Sequence, residues 1–226
     1  MSPSFRTGYT LAALAAVAGA ATGPLIAFLL SGRGLPRLSL AELRGFALVG
    51  AVSVGLYHAL FVTSIALNGA AMGIVLIYLF PAFVTLGARL LFKEPIGLVR
   101  IYDPAVLRVS WLGTLVGVAS AAAHAGYVLF NQRAVARHSP WLSLALTMSF
   151  GSLVLLALSL LVDGPTGVAQ VGPGLEPWLI VLLLALGPTL GGYALFTIGL
   201  RYLPGRIASL ILVIEAPLAT LAAVLL

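Results

Sequence analysis

Glu215 lies ten residues into a 22-residue apolar stretch, Gly205–Leu226. A carboxylate at that depth costs roughly 2.5–3.5 kcal/mol on insertion scales, so it is expected to face a cavity rather than lipid. Such a group can couple to protons or bind the amine of a solute. The plainer alternative is a structural carboxyl group, hydrogen-bonded to a neighbouring helix. His58 and His124 also lie inside apolar stretches. Each can bind solute or relay a proton, or simply be a satisfied intramembrane histidine. Tyr57, Tyr78, Tyr127 and Tyr193 are candidate cavity aromatics, with packing or interfacial anchoring as the alternative. Pro81, Pro188 and Pro217 each lack a backbone N–H and so free the carbonyls of Ile77, Leu184 and Val213. A freed carbonyl can ligate solute or let the helix bend. Glu215, Tyr193, Tyr57, His58, His124, Tyr127 and Tyr78 are therefore the candidate solute-binding residues. Asp103, Asp163 and Glu176 read as loop charges. No nucleophile–base pair, phosphate-cradling loop or metal-ligand spacing occurs, so the sequence calls for no enzyme, no metal and no cofactor.

The elements that must position these residues are membrane helices. Apolar residues make up 61% of the 226 and charged residues 8%, against about 25% charged in soluble domains. The mean hydropathy is +1.14. About 20 apolar residues cross the hydrocarbon core as a helix, and seven runs qualify: Tyr9–Leu30, Gly45–Leu67, Ala70–Phe92, Trp111–Phe130, Pro140–Leu161, Trp178–Leu200 and Gly205–Leu226. None alternates as a barrel strand does. The expected fold class is an all-α integral membrane protein, a polytopic helical bundle in the lipid bilayer of the cell membrane. The first run resembles a signal peptide at its start but continues to Leu30, which favours a retained helix. Ser39 with Glu42 reads as a capping box that opens the second helix, and Asp163–Pro177 reads as a Gly/Pro-rich loop. The net charge of +6 comes from basic residues placed singly near span ends. That is headgroup anchoring, and no nucleic-acid partner is implied. With no cysteine in the chain, disulfides and thiolate metal sites are excluded.

The chain also aligns with itself. Shifted by 136 residues, Gly55–Leu90 matches Gly191–Leu226 without a gap, pairing Gly55 with Gly191, Tyr57 with Tyr193, Gly69 with Gly205 and Pro81 with Pro217. Each copy reads as an apolar helix, a tight turn, and a second helix interrupted by proline. Repeated hairpins of this kind are a mark of secondary transporters. Seven alternating spans divide the Arg and Lys residues five against seven, which is no preference. One further crossing between Lys93 and Trp111 divides them ten against two, as the positive-inside rule prefers, and turns the repeat into an inverted one.

These features resemble the EamA-type members of the drug/metabolite transporter superfamily. The resemblance lies in Gly55-Leu56-Tyr57 through Ile65-Ala66-Leu67, the Pro81 helix, Phe92-Lys93-Glu94-Pro95, Trp111-Leu112-Gly113, Tyr193 through Arg201-Tyr202-Leu203-Pro204, and Ile214-Glu215-Ala216-Pro217. It implies two five-helix halves in inverted orientation, with residues 1–95 in the first, 96–110 as a polar connector and 111–226 in the second. Against that pattern seven of ten helices are expected here, with the first, fifth and tenth absent. The family often has an acidic residue directly before the proline, whereas here Ala216 intervenes between Glu215 and Pro217. The resemblance implies export of small metabolites such as amino acids by alternating access, with the bilayer, the solute and a homodimer as partners. The alternative is a non-transporting membrane subunit or degenerate fragment of such a transporter. A seven-helix photoreceptor would need a lysine in its last span, but the chain's one lysine is Lys93.

Overall fold

The computed structural model describes residues 38–92, 110–168 and 175–215. Among them the chain is helical, without strands. The first expected span, residues 93–109 of the further crossing, the second half of the last expected span and Pro217 lie outside the described residues.

Helix α1 (Leu40–Gly50) runs into a π-helical turn, π1 (Ala51–Leu56), and on into α2 (Tyr57–Asn68). Ser39 opens α1 with the expected capping box: its side chain accepts from the Glu42 N–H, and the Glu42 carboxylate accepts from the Ser39 N–H at 2.8 Å. Gly69 then turns the chain with φ +83°, a conformation that favours glycine. Helix α3 (Ala70–Ile77) ends at the break Tyr78–Leu79, and α4 (Phe80–Phe92) resumes beyond it. The break stands just ahead of Pro81, which cannot donate to the Ile77 carbonyl.

Helix α5 (Trp111–Ala134) is the central pillar, the most enclosed of the spans, and packs on α1, π1, α2, α3 and α4. Its small residues allow this: Gly117, Ser120, Ala121 and Ala125 are all buried. Helix α6 (Pro140–Val168) starts at the expected Pro140 but continues through Asp163-Gly164-Pro165, where a loop was expected. Pro165 removes only the bond to the Leu161 carbonyl, and Leu161 is exposed at the end of the apolar span Pro140–Val162, so the helix survives that loss. Helix α7 (Leu175–Leu184) likewise takes in Glu176 and Pro177 within its first turn, where a missing N–H costs nothing.

The expected central break of the next span is a second π-helical turn, π2 (Ala185–Gly191), followed by α8 (Gly192–Gly199). It begins directly after Leu184, whose carbonyl cannot accept from the residue four positions on because that residue is Pro188. Arg201–Pro204 turn the chain into α9 (Gly205–Leu212), where Gly205 donates to Gln132 Oε1 at 3.0 Å and ties this hairpin to α5. Among the described residues five stretches are long and apolar enough to cross a membrane: Leu40–Asn68, Met72–Phe92, Trp111–Ala134, Pro140–Val162 and Trp178–Gly199.

The two hairpins run through a similar succession of backbone events. A π-turn precedes Tyr57 and another precedes Tyr193 and its Gly192. Each is followed by an α-helix, a turn, a second α-helix and a break, at Tyr78–Leu79 in one copy and Val213–Ile214 in the other.

Candidate functional site

Five of the seven candidate side chains form one aromatic cluster where α2, α5 and α8 meet. Tyr57 lies against His58 and His124, with ring centroids 4.5 and 4.6 Å away. His124 is 6.1 Å from Tyr127 and 6.3 Å from Tyr193. Tyr193 also meets Tyr127 edge-on at 5.2 Å and His58 at 6.3 Å. Phe80, just after the break ahead of Pro81, closes on His124 edge-on at 4.8 Å. The helical periodicity accounts for part of this: on α5, residues 124 and 127 share one face, and both rings are buried there. The repeat accounts for another part, since Tyr57 and Tyr193 each follow a π-turn.

Beside the cluster is a cavity of ≈ 990 Å³, lined by Tyr57 and His124 on one side and by Tyr193, Phe196, Leu212 and Glu215 on another. Residues of both hairpins therefore face one hollow. Glu215 is the last described residue, and its carboxylate is near enough to act electrostatically on the hydroxyls of Tyr57 and Tyr78. Tyr78 is half-buried at the first hairpin's break and does not line the cavity. His58 and Tyr127 stand behind the lining. His58 Nδ1 is 2.7 Å from the Val54 carbonyl, so that nitrogen carries the proton in the neutral ring and donates to the carbonyl. Pro81 is buried beside Phe80, whereas Pro188 lies within π2.

Sequence reasoning passed over the polar chain that fixes Tyr127. Its hydroxyl is 2.7 Å from Thr197 Oγ1 on α8 and also interacts with Thr147 on α6. Thr147 donates to the Ser143 carbonyl at 2.8 Å, Ser143 donates to the Asn131 side chain, and Asn131 donates back to the Tyr127 carbonyl at 2.9 Å. Ser143, Thr147, Asn131 and Thr197 are wholly buried. The available signal was their spacing: Tyr127–Asn131, Ser143–Thr147 and Tyr193–Thr197 are all four apart, hence on one face of each helix.

At the far end of α1 a second cleft, of ≈ 760 Å³, is bordered by Glu42, Arg133, Arg137 and His138. Glu42 Oε1 lies 2.9 Å from His138 Nε2. Arg133 donates to the Leu91 carbonyl at 3.0 Å and sits 4.4 Å over the Phe92 ring. The charged groups here brace α1 and α4 against the α5–α6 turn.

The profile of the EamA-like transporter family matches residues 111–226, just over half of the chain. A protein of Archaeoglobus fulgidus named as an uncharacterized transporter is 26% identical over 179 residues, covering 76% of this chain and 63% of its own length. A protein of known crystal structure superposes with a TM-score of 0.66 at 21% identity, over 89% of this chain and 73% of that one. This last likeness concerns the fold alone.

Proposed function

The chain belongs to the EamA-like transporter family, and from that premise we propose that it takes part in secondary-active export of small metabolites, amino acids among them, across the cell membrane. In this reading the two hairpins are inverted copies that rock about a midplane site and open it to alternate sides. One observation carries the reading: Tyr57 from the first hairpin and Tyr193 and Glu215 from the second border a single cavity inside an apolar bundle. A hollow of this size suits a small organic solute. Ring walls give it apolar contact, and a carboxylate inside a bilayer gives it one expensive polar anchor.

Glu215 is then the proton-coupling group. The test is solute flux into proteoliposomes under an imposed pH gradient. Wild-type flux is expected to rise with the gradient, and Glu215→Gln is expected to lose that dependence together with at least tenfold of the rate. Flux that persists unchanged in Glu215→Gln rejects the coupling role. Folded protein that moves no solute under any gradient favours a non-transporting membrane subunit.

A further inference from the structure

We propose that the cavity recognises organic cations through their ammonium group and has no seat for a carboxylate, so that amines outrank zwitterionic amino acids of the same shape. The inference rests on the transport reading for its biological sense but not for its chemistry.

The first observation is charge. Glu215 lines the cavity, and no lysine or arginine is among the lining residues described. A carboxylate at the open side of an apolar cavity, with no cationic side chain among the described lining residues, draws in a positive group or a proton. The second is the wall. Tyr57, Tyr193 and Phe196 line the same hollow, and aromatic rings favour an ammonium over an anion through their electron-rich faces. The third is an unsatisfied atom. His124 is only 7% exposed and lines the cavity, yet its Nδ1 has no hydrogen-bond partner among the described residues. A buried polar atom without a partner costs free energy unless something else supplies one. A polar atom of a bound solute would do so.

A solute carboxylate meets the opposite situation. It would enter a hollow that already holds one negative group and, among its described lining residues, offers it no cation. The apolar side chains of Leu203, Ile211 and Leu212 complete the lining and suit a hydrocarbon body. The ligand class is therefore an amphipathic amine: an ammonium for Glu215, an apolar or aromatic body for the rings, and a hydrogen-bonding atom for His124.

Three probes share a benzyl body and differ in charge: phenethylamine, phenylalanine and 3-phenylpropionate. Each is titrated into the purified full chain in lipid nanodiscs and followed by calorimetry. Phenethylamine is expected to bind at least tenfold more tightly than phenylalanine, and 3-phenylpropionate is expected not to saturate. Glu215→Gln should bring the amine and the amino acid within threefold of each other. Glu215→Asp, which keeps the charge, and Glu176→Gln, on α7 outside the lining, should both preserve the ranking. The proposal is overturned if phenylalanine binds as tightly as the amine, if the ranking survives Glu215→Gln, or if none of the three binds. Flux of phenylalanine with affinity equal to the amine's would leave the transport reading standing and remove the cation preference. Ranked binding without flux of any probe would do the reverse.

Discussion

The two hairpins share their sequence of backbone events but not their surroundings. In the first, glycines mark places where another helix leaves no room for a side chain. A Cβ on Gly50 would stand 2.6 Å from the Thr147 carbonyl of α6, and one on Gly151 of α6 would stand 2.5 Å from Val54. In the second hairpin, Gly187, Gly192 and Gly199 have nothing near them among the described residues. A third of the apolar window within Leu40–Asn68 is buried, against a fifth of that within Trp178–Gly199, so the difference extends beyond single positions. The two hairpins thus share the irregular backbone that sets Tyr57 and Tyr193 beside the cavity and differ in the packing that holds each. The first hairpin is wedged against α6. The second is held through specific polar contacts, Gly205 to Gln132 and Thr197 to Tyr127.

The largest effect should come from filling the first hairpin's crossing. Gly50→Val drives a branched side chain into backbone, which neither helix can yield cheaply, and is expected to cost about 3 kcal/mol or more. The repeat-related region offers the control: Gly192→Val should stay within about 1 kcal/mol, since valine is no worse than glycine in a helix interior. Thermal unfolding of both variants in detergent decides the matter. Equal losses would mean that the second hairpin is packed as tightly as the first.

A smaller effect is expected at the second hairpin's polar tie. Thr197→Val keeps the side chain's shape and takes away one of the two partners of the buried Tyr127 hydroxyl, leaving Thr147, at about 1 kcal/mol. The repeat-equivalent position in the first hairpin is Phe61, half-buried and stacked at 6.1 Å on Tyr57. Phe61→Leu there should cost less than about 1.5 kcal/mol, the range of a tolerated apolar exchange. Because Tyr127 backs Tyr193, Thr197→Val should also weaken phenethylamine binding several-fold, whereas a loss of stability alone would leave the affinity of the folded fraction unchanged.

How much of this was legible in the sequence follows from what each feature depends on. The described spans were, because the bilayer imposes a coarse length that hydropathy reads directly. Ser39 with Glu42 was, because a capping box is a local bargain between neighbours. Tyr57 and Tyr193 were found as a pair through the repeat, and Glu215 through its cost in lipid. The π-turns were not, apart from the break that Pro188 announced, because an extra residue per turn leaves no compositional trace. The continuation of α6 through Asp163-Gly164-Pro165 was not, because Gly and Pro signal a turn only where the backbone lacks a better-paired alternative. The tie from Tyr127 through Thr197, Thr147, Ser143 and Asn131 depends on which helices cross. Spacing could suggest the faces but not their partners. The cavity has the same origin, being a property of the crossing of α2, α5, α8 and α9 rather than of any one of them.

The smallest effect concerns the outer end of the first hairpin and asks whether its anchorage is confined to the wedge. Ser39 closes the cap, and the same Glu42 that completes it reaches across to His138 at the α5–α6 turn. One carboxylate thereby joins a helix start to a neighbouring turn, so loosening the cap should be felt beyond α1. Ser39→Ala removes the hydroxyl that accepts from the Glu42 N–H and is expected to cost about 1 kcal/mol. Its counterpart is Glu176→Gln, which takes a charge from the first turn of α7 and should change stability by roughly 0.3 kcal/mol through the helix dipole alone. Amide exchange can separate the two models of anchorage. If the first hairpin is held as one unit from cap to crossing, Ser39→Ala will accelerate exchange of the α1 amides and of those in the α5–α6 turn together. Acceleration limited to the first turn of α1 would show that the wedge at Gly50 holds the hairpin by itself.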